Sequence, residues 1–385
     1  MKQTSRIIST YSADVFGVCS ALFELGGMII MHDASGCNST YTTHDEPRWY
    51  DMDSMVYISG LSEMEAIMGD DEKLIDDIVS AANDLHPKFI AVAGTPIPTM
   101  TGFDFNAIAE IISERTGIPA FGFATTGMNT YVHGVSMALE ALARNYVNKD
   151  AVKTEYPSAN ILGLTPLDFS VNGSDGAIAN FLEDAGYRVV SKWAMGDSLE
   201  DISKAGGAHV NLVVSSAGLA AAKILNKEFG TPYVVGVPIG KEYSDVIKNA
   251  LADAVKTGEN KFPHSNLEGG DIVIIGESVT SLSLASAIEL SMQKSVKVIC
   301  PTECFESVLR DKDTACTWEE EIESDISGAA YIIADPLFKP ICPEGVKFIE
   351  LPSESFSGRI YREQIPNLVT DFTQFFSEVD RKSVV

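Results

Sequence analysis

The sequence has no Gly-rich phosphate loop. Its Gly-Lys step in "GVPIGKEYSD" lacks both the glycine spacing and a Ser or Thr directly after Lys241. Neither ATP hydrolysis nor nucleotide binding by this chain is therefore expected. "GES" after the apolar run at 271–275 is no dinucleotide fingerprint, and neither a Gly-x-Ser-x-Gly elbow nor a His-Glu-x-x-His pair occurs. Positive charge is scarce: 28 Lys and Arg face 54 Asp and Glu, a formal net charge of −26. Such a field repels nucleic acid and anionic membrane, so neither is expected as a partner. It leaves two readings open, solubility alone or steering of a positively charged protein. No apolar run reaches the length of a membrane span, and "MKQTSRIISTYSADVF" lacks the apolar core of a signal peptide. The expectation is a soluble, cytoplasmic protein. Cysteine is sparse, with six residues: Cys19, Cys37, Cys300, Cys304, Cys316 and Cys342. In a cytosolic chain these are not expected to form structural disulfides, which leaves metal or cluster ligation and plain packing.

Apolar residues are plentiful, at 45% of 385, and a chain of this length is expected to divide into two or three domains. One local pattern recurs. "KFIAVAG" reads as a buried strand; a helix capped by Asp104 follows and stops at Gly117, and "PAFGFAT" is the next strand. "HVNLVVSS", "AGLAAAKILNKEF" and "YVVGVPIG" repeat it, the helix stopping at Gly230. "DIVIIGES", "VTSLSLASAIELSMQ" and "VKVIC" repeat it again. Strands apolar throughout, alternating with helices, predict an α/β chain of three Rossmann-like, doubly wound parallel-sheet domains. The predicted boundaries are 1–155, 156–265 and 266–385, the last carrying a C-terminal helix over "IPNLVTDFTQFFSEV". Ligands are expected at the carboxyl ends of strands and in clefts between domains.

The loop after the apolar run at 28–31 is such an end. It reads "HDASGCNSTYTTHDEPRW" and delivers one thiol, Cys37, among small residues that leave room for a bulky group. Cys37 reads either as a turn cysteine or as a ligand. Arg48 suits a carboxylate by bidentate pairing, and His44 could supply a proton; the alternative is a solvated loop with Trp49 as its anchor. In the third domain, Cys300-Pro-Thr-Glu-Cys304 ends one strand and Cys342 follows another. The three could converge on iron–sulfur chemistry or remain unlinked.

Taken in order, the His32-Asp33-Ala34-Ser35-Gly36-Cys37 loop, "YISGLSEMEAIMGDDEKLIDDI", "FIAVAGTPIPTMTGFDFNAIAEII", "HVNLVVSSAGLAAAKILNKEFGTPY" and "LPSESFSGRIY" resemble the larger component of nitrogenase and its relatives. That family carries a His-Gly-Pro-x-Gly-Cys loop. The resemblance implies three Rossmann-like domains, a homodimer or a heterodimer with a homologous subunit, an iron–sulfur cluster at their interface, and electrons from a separate ATP-dependent iron–sulfur reductase. Cys37 falls on the family's central cluster cysteine, with His32, Asp33 and Gly36 framing it as cofactor-binding residues. The family's earlier and later cluster cysteines fall on Ser12 and Pro96. The cysteine and histidine that hold nitrogenase's catalytic cofactor fall near Val214 or Ser215 and near Pro352, so dinitrogen fixation with that cofactor is not expected. Cys19 could replace the missing ligand at Ser12 only if its helix began late, since it lies seven residues on, roughly 10 Å along a helix; otherwise it is a core thiol. Asp14 and Ser12 itself are oxygen alternatives. The resemblance thus implies either the catalytic subunit of a nitrogenase-like reductase or a scaffold or carrier for metallocofactor assembly.

Overall fold

The computed structural model describes residues 6–7, 13–34, 36, 38, 46–304 and 308–383. Three parallel sheets follow one another along the chain. The first contains β1 (Met28–Met31), β2 (Met55–Ile58), β3 (Ile90–Ala93) and β4 (Ala120–Phe123), in the order β2-β1-β3-β4. The second contains β5 (Ser158–Leu162), β6 (Arg188–Lys192), β7 (Val210–Val213) and β8 (Tyr233–Val235), in the order β6-β5-β7-β8. The third contains β9 (Ile272–Ile275), β10 (Val296–Cys300), β11 (Thr314–Ala315), β12 (Tyr331–Ala334) and β13 (Lys347–Glu350), in the order β11-β10-β9-β12-β13. The chain is thus an α/β protein built of doubly wound parallel sheets, as its apolar strands predict.

Alternation along a strand sorts the core. In β1, Met28 and Ile30 face Leu74, Ile75 and Ile108, while Ile29 and Met31 face a larger core that continues into the second domain. Each such side chain removed from water contributes roughly 1.5–3 kcal/mol. The predicted stops are present. Asp104 accepts from Ala107 N at 3.1 Å to start helix Phe105–Thr116, and Gly117 ends it at φ 71°, a conformation that costs glycine nothing.

Two helix packings shape this arrangement. Helix Asp14–Leu22 crosses helix Tyr131–Asn145 backbone to backbone: a Cβ at Gly134 would lie 1.8 Å from the carbonyl oxygen of Asp14. The terminal helix Leu368–Ser383 does not stay with the third sheet. It lies against helix Ser174–Asp184 of the second domain and buries Phe372 and Phe375 in the core there, because its aromatic stripe needs an apolar partner. Among the described residues, no helix is long and apolar enough to cross a membrane.

Every sheet is wound both ways from its first strand. The winding reverses between β1 and β3, between β5 and β7, and between β9 and β12. Such reversals open crevices at the carboxyl edge.

Candidate functional site

At the first reversal, β1 runs directly into His32 and Asp33. The His32 ring is buried beside Phe103, centroids 4.5 Å apart, with Nδ1 2.9 Å from Ser59 Oγ. Desolvation pushes its pKa down to about 4, so it is neutral at pH 7. Asp33 is also buried; its Oδ2 accepts from Asn38 Nδ2 at 2.6 Å, and its backbone N–H donates to Ser59 Oγ at 3.1 Å. Both side chains therefore brace the loop from inside. Gly36 is exposed, with no atom within 4 Å of where a Cβ would stand. Cys37, His44 and Ser12 lie outside the described residues.

The loop after β3 is tied to this one, since Thr95 Oγ1 donates to His32 O at 2.9 Å, and Pro96 opens helix Pro96–Thr101. The segment "SEMEAIMG" forms a clip: Ser62 and Glu65 make a capping box, Glu65 pairs with Lys73 at 2.8 Å, and Gly69 turns the chain at φ 67°. The helices and loops after β2, β3 and β4 share this edge and turn apolar groups outward. Met64, Ile67 and Met68 are exposed, as are Met100 (87%) and Met128 (82%).

Several predicted ligands are committed elsewhere. Arg48 is not free to meet a substrate carboxylate. It is buried, with Nε 2.6 Å from Glu46 Oε1, Nη1 2.9 Å from Glu24 Oε1 and 2.7 Å from Ala194 O, and Nη2 2.8 Å from Ser20 O. It ties the first domain to the second. Cys19 is fully buried in the apolar core, and burial pushes its thiol pKa far up, which makes it a packing residue rather than a stand-in ligand. The Asp14 carboxylate is taken by Thr126 N (3.0 Å), Gly127 N (2.7 Å) and Asn129 Nδ2 (3.1 Å). Cys300 meets Cys304, and this contact together with burial raises the Cys300 pKa. Cys342 turns back onto Phe338 O at 3.3 Å. Among the described residues no three His, Cys, Asp or Glu side chains gather as a metal set, so the three-cysteine convergence in the third domain is not formed.

The other two reversals face each other. A cavity of about 70 Å³ lies between them, walled by Asp168 after β5, Glu277 and Thr280 after β9, Asp335 after β12, and Pro352 and Phe356 after β13. Glu277 is buried and accepts from Ser216 N (2.9 Å), Ser278 Oγ (3.1 Å) and Thr280 N (2.9 Å). Asp335 accepts from Leu337 N (2.8 Å), Ser353 N (2.8 Å) and Ser357 Oγ (2.7 Å). Asp168 is bonded by the Tyr131 hydroxyl and by Thr165 Oγ1 at 3.2 Å. Desolvation first, and the Glu277 charge second, push Asp168 up to about 7. These carboxylates escape motif reading. Their signal is position alone, one residue or a few past an apolar strand, as in "IIGES", "IIADP" and "GLTPLDF".

Comparison with known proteins places these edges in a family context. Residues 14–300 match the model of the nitrogenase component 1 type oxidoreductases. A light-independent protochlorophyllide reductase subunit of Nostoc punctiforme is 29% identical over 185 residues, 45% of this chain and 36% of that protein. The nitrogenase iron-molybdenum cofactor biosynthesis protein NifE of Clostridium pasteurianum is 30% identical over 183 residues, 46% of this chain and 38% of that protein. The corresponding protochlorophyllide reductase subunit of Mesostigma viride is 24% identical over 268 residues, 60% of this chain and 52% of that protein. The chain thus spans from about a third to a half of the length of these relatives. The solved structure of nitrogenase Cp1 at pH 6.5 superposes with a TM-score of 0.70 at 16% identity, covering 99% of this chain and 95% of that one, which is a likeness of fold.

Proposed function

The chain belongs to the nitrogenase component 1 type oxidoreductase family, and within it we propose that this protein is the component 1-like subunit of a nitrogenase-like reductase. In this reading Cys37 gives one thiolate to an iron–sulfur cluster shared with a homologous subunit, either a second copy or a paralogue. Electrons come from an ATP-dependent iron–sulfur reductase, and the substrate is reduced between domains. The observation that carries the reading is the exposed methionine face at the carboxyl edge of the first sheet. An apolar patch ringed by polar residues is the mark of a covered surface.

The residues fit a cluster only in part. The open space beside Gly36 and the inward bracing by His32 and Asp33 suit a bulky group, but one cysteine cannot supply the roughly four ligands a cluster takes. The remaining ligands would come from the partner subunit. When bound, such a cluster supplies single-electron transfer. This chain's own part is to hold the loop, exclude water and present the cavity.

A scaffold or carrier for metallocofactor assembly is the second reading. It is favoured by the similarity to NifE and by the lack of a thiol or imidazole where the family's cofactor ligands fall: fully buried Val214 and Ser215, and Pro352 in the cavity wall. Anaerobic purification with iron and sulfide analysis tests the cluster. Stopped-flow reduction with and without the cognate reductase and MgATP separates the two readings. Reduction that requires nucleotide and slows as salt rises supports the reductase, because docking of complementary charges is screened over about 8 Å at physiological ionic strength. Equally fast reduction by a simple ferredoxin without nucleotide would favour the scaffold.

A further inference from the structure

Two acidic side chains, Asp168 and Glu277, both line the cavity between the second and third sheets, and among the described residues neither forms an ion pair with a Lys or Arg. Nearby ionisable groups are themselves acidic or already paired. Tyr131 comes from the first domain, Asp335 lies across the cavity, and Arg362 is bound to Glu354 at 3.0 Å. Two neighbouring anions at low dielectric without a cation are costly enough that one takes a proton. The hydrogen bonds say which. Glu277 accepts three bonds, two from backbone N–H groups and one of those at a helix start, an environment that suits a carboxylate. Asp168 has only hydroxyl partners, which can donate or accept. The wall also holds an orphan: Thr280 Oγ1 is buried and finds no hydrogen-bond partner among the described residues. A buried unmet hydroxyl in a cavity wall points to an occupant that completes it.

We infer that Asp168 and Glu277 share a single proton, carried by Asp168, and that Asp168 donates it to a small basic ligand in the cavity while Thr280 Oγ1 fixes that ligand's position. In the transfer the Asp168 O–H bond breaks and an N–H or O–H bond forms on the ligand. Asp168 is left as a carboxylate facing the new cation, and it reloads from water at the cavity mouth. The arrangement resembles other acid pairs whose environments push their proton affinities apart, which marks an acid–base assignment. It deepens the reductase reading, since each electron delivered to a substrate calls for a proton, but the chemistry of the pair stands without a cluster.

The test uses the purified full chain without a cluster, so its outcome is separate from that of the electron-transfer reading. Infrared difference spectra recorded across pH should show a protonated carboxyl that ionises near neutrality in the wild type. Asp168→Asn should remove it, and Glu277→Gln should move its ionisation to lower pH by relieving the repulsion. The ¹⁵N resonance of labelled pyridine, a base too weak to be protonated in neutral water, should shift to the pyridinium position in the wild type. It should stay neutral with Asp168→Asn, and Thr280→Val should weaken binding several-fold. A carboxyl band that survives Asp168→Asn would overturn the shared proton. Pyridine that fails to bind, or that binds unprotonated, would overturn the donation. Circular dichroism of each variant separates misfolding from loss of the proton.

Discussion

The two candidate sites of this molecule are built in opposite senses. At the carboxyl edge of the first sheet, polar groups turn inward: His32 and Asp33 are spent on Ser59 and Asn38, and methionines face solvent. Between the second and third sheets, carboxylates stand among apolar side chains in the wall of a cavity of about 70 Å³. The difference follows from what each edge excludes water with. An apolar exposed rim needs another protein to cover it. A cavity already has its walls and needs only a small occupant.

The contrast breaks most sharply at Cys37. Cys37→Ala should strip anaerobically purified protein of its iron and acid-labile sulfide, while leaving the infrared signature of Asp168 intact. Full iron retention would mean that the first edge holds no cluster. Next in size is Arg48→Met, which leaves Glu46 and Glu24 without their shared cation in a buried setting. Chemical denaturation should show a loss of about 3–5 kcal/mol, the usual cost of orphaning a buried charge. A variant with altered substrate affinity and unchanged stability would restore Arg48 to a binding role.

Stability against pH sharpens the contrast, because the two regions titrate with opposite sign. Unfolded Asp168 ionises near an ordinary pKa of about 4, whereas in the fold it is pushed up to about 7. Across that window unfolding releases a proton, so the Asp168 contribution to stability falls as pH rises and levels off above neutrality. Asp168→Asn should flatten this decline, leaving the part due to Asp197, which burial also pushes up to about 7. His32, pushed down to about 4 by desolvation, works the other way. Its contribution is lost as pH falls below the ordinary histidine value of about 6.5. Urea midpoints collected from pH 4 to 8 would separate the two.

Met100→Asp should change stability by no more than about 0.5 kcal/mol, as an exposed substitution does, yet should shift the sedimentation profile toward the monomer. No shift would detach the methionine face from the partner reading. Cys19→Ala should give the plainest result, a loss of about 1 kcal/mol typical of a small buried change, with iron content untouched.

The fold was legible because its code is local. Runs such as "KFIAVAG" and "DIVIIGES" are rich in apolar residues throughout, and caps at Asp104 and Gly117 mark helix ends within a few residues. The sites were less so. Arg48 looked like a substrate clamp because sequence shows its charge but not Glu24 or Ala194, which come from 24 and 146 residues away. Cys300, Cys304 and Cys342 share a domain, yet Cys300 meets Cys304 while Cys342 turns to Phe338. The carboxylate pair was invisible for the same reason: Asp168 and Glu277 belong to different sheets, and nothing local in either strand end announces the other.

The start of helix Tyr131–Asn145 is a three-way joint. Thr130, just before its first turn, belongs to the first domain and donates its N–H to Glu303 of the third at 2.8 Å. One residue on, Tyr131 reaches Asp168 of the second. The helix is also seated against Asp14–Leu22 with no side-chain cushion at Gly134. In mechanical terms there is no slack at this point. A rotation of the first domain large enough to slide that helix must lengthen or break the Tyr131 bond, and the hydroxyl it would disturb sits on the carboxyl that carries the proton.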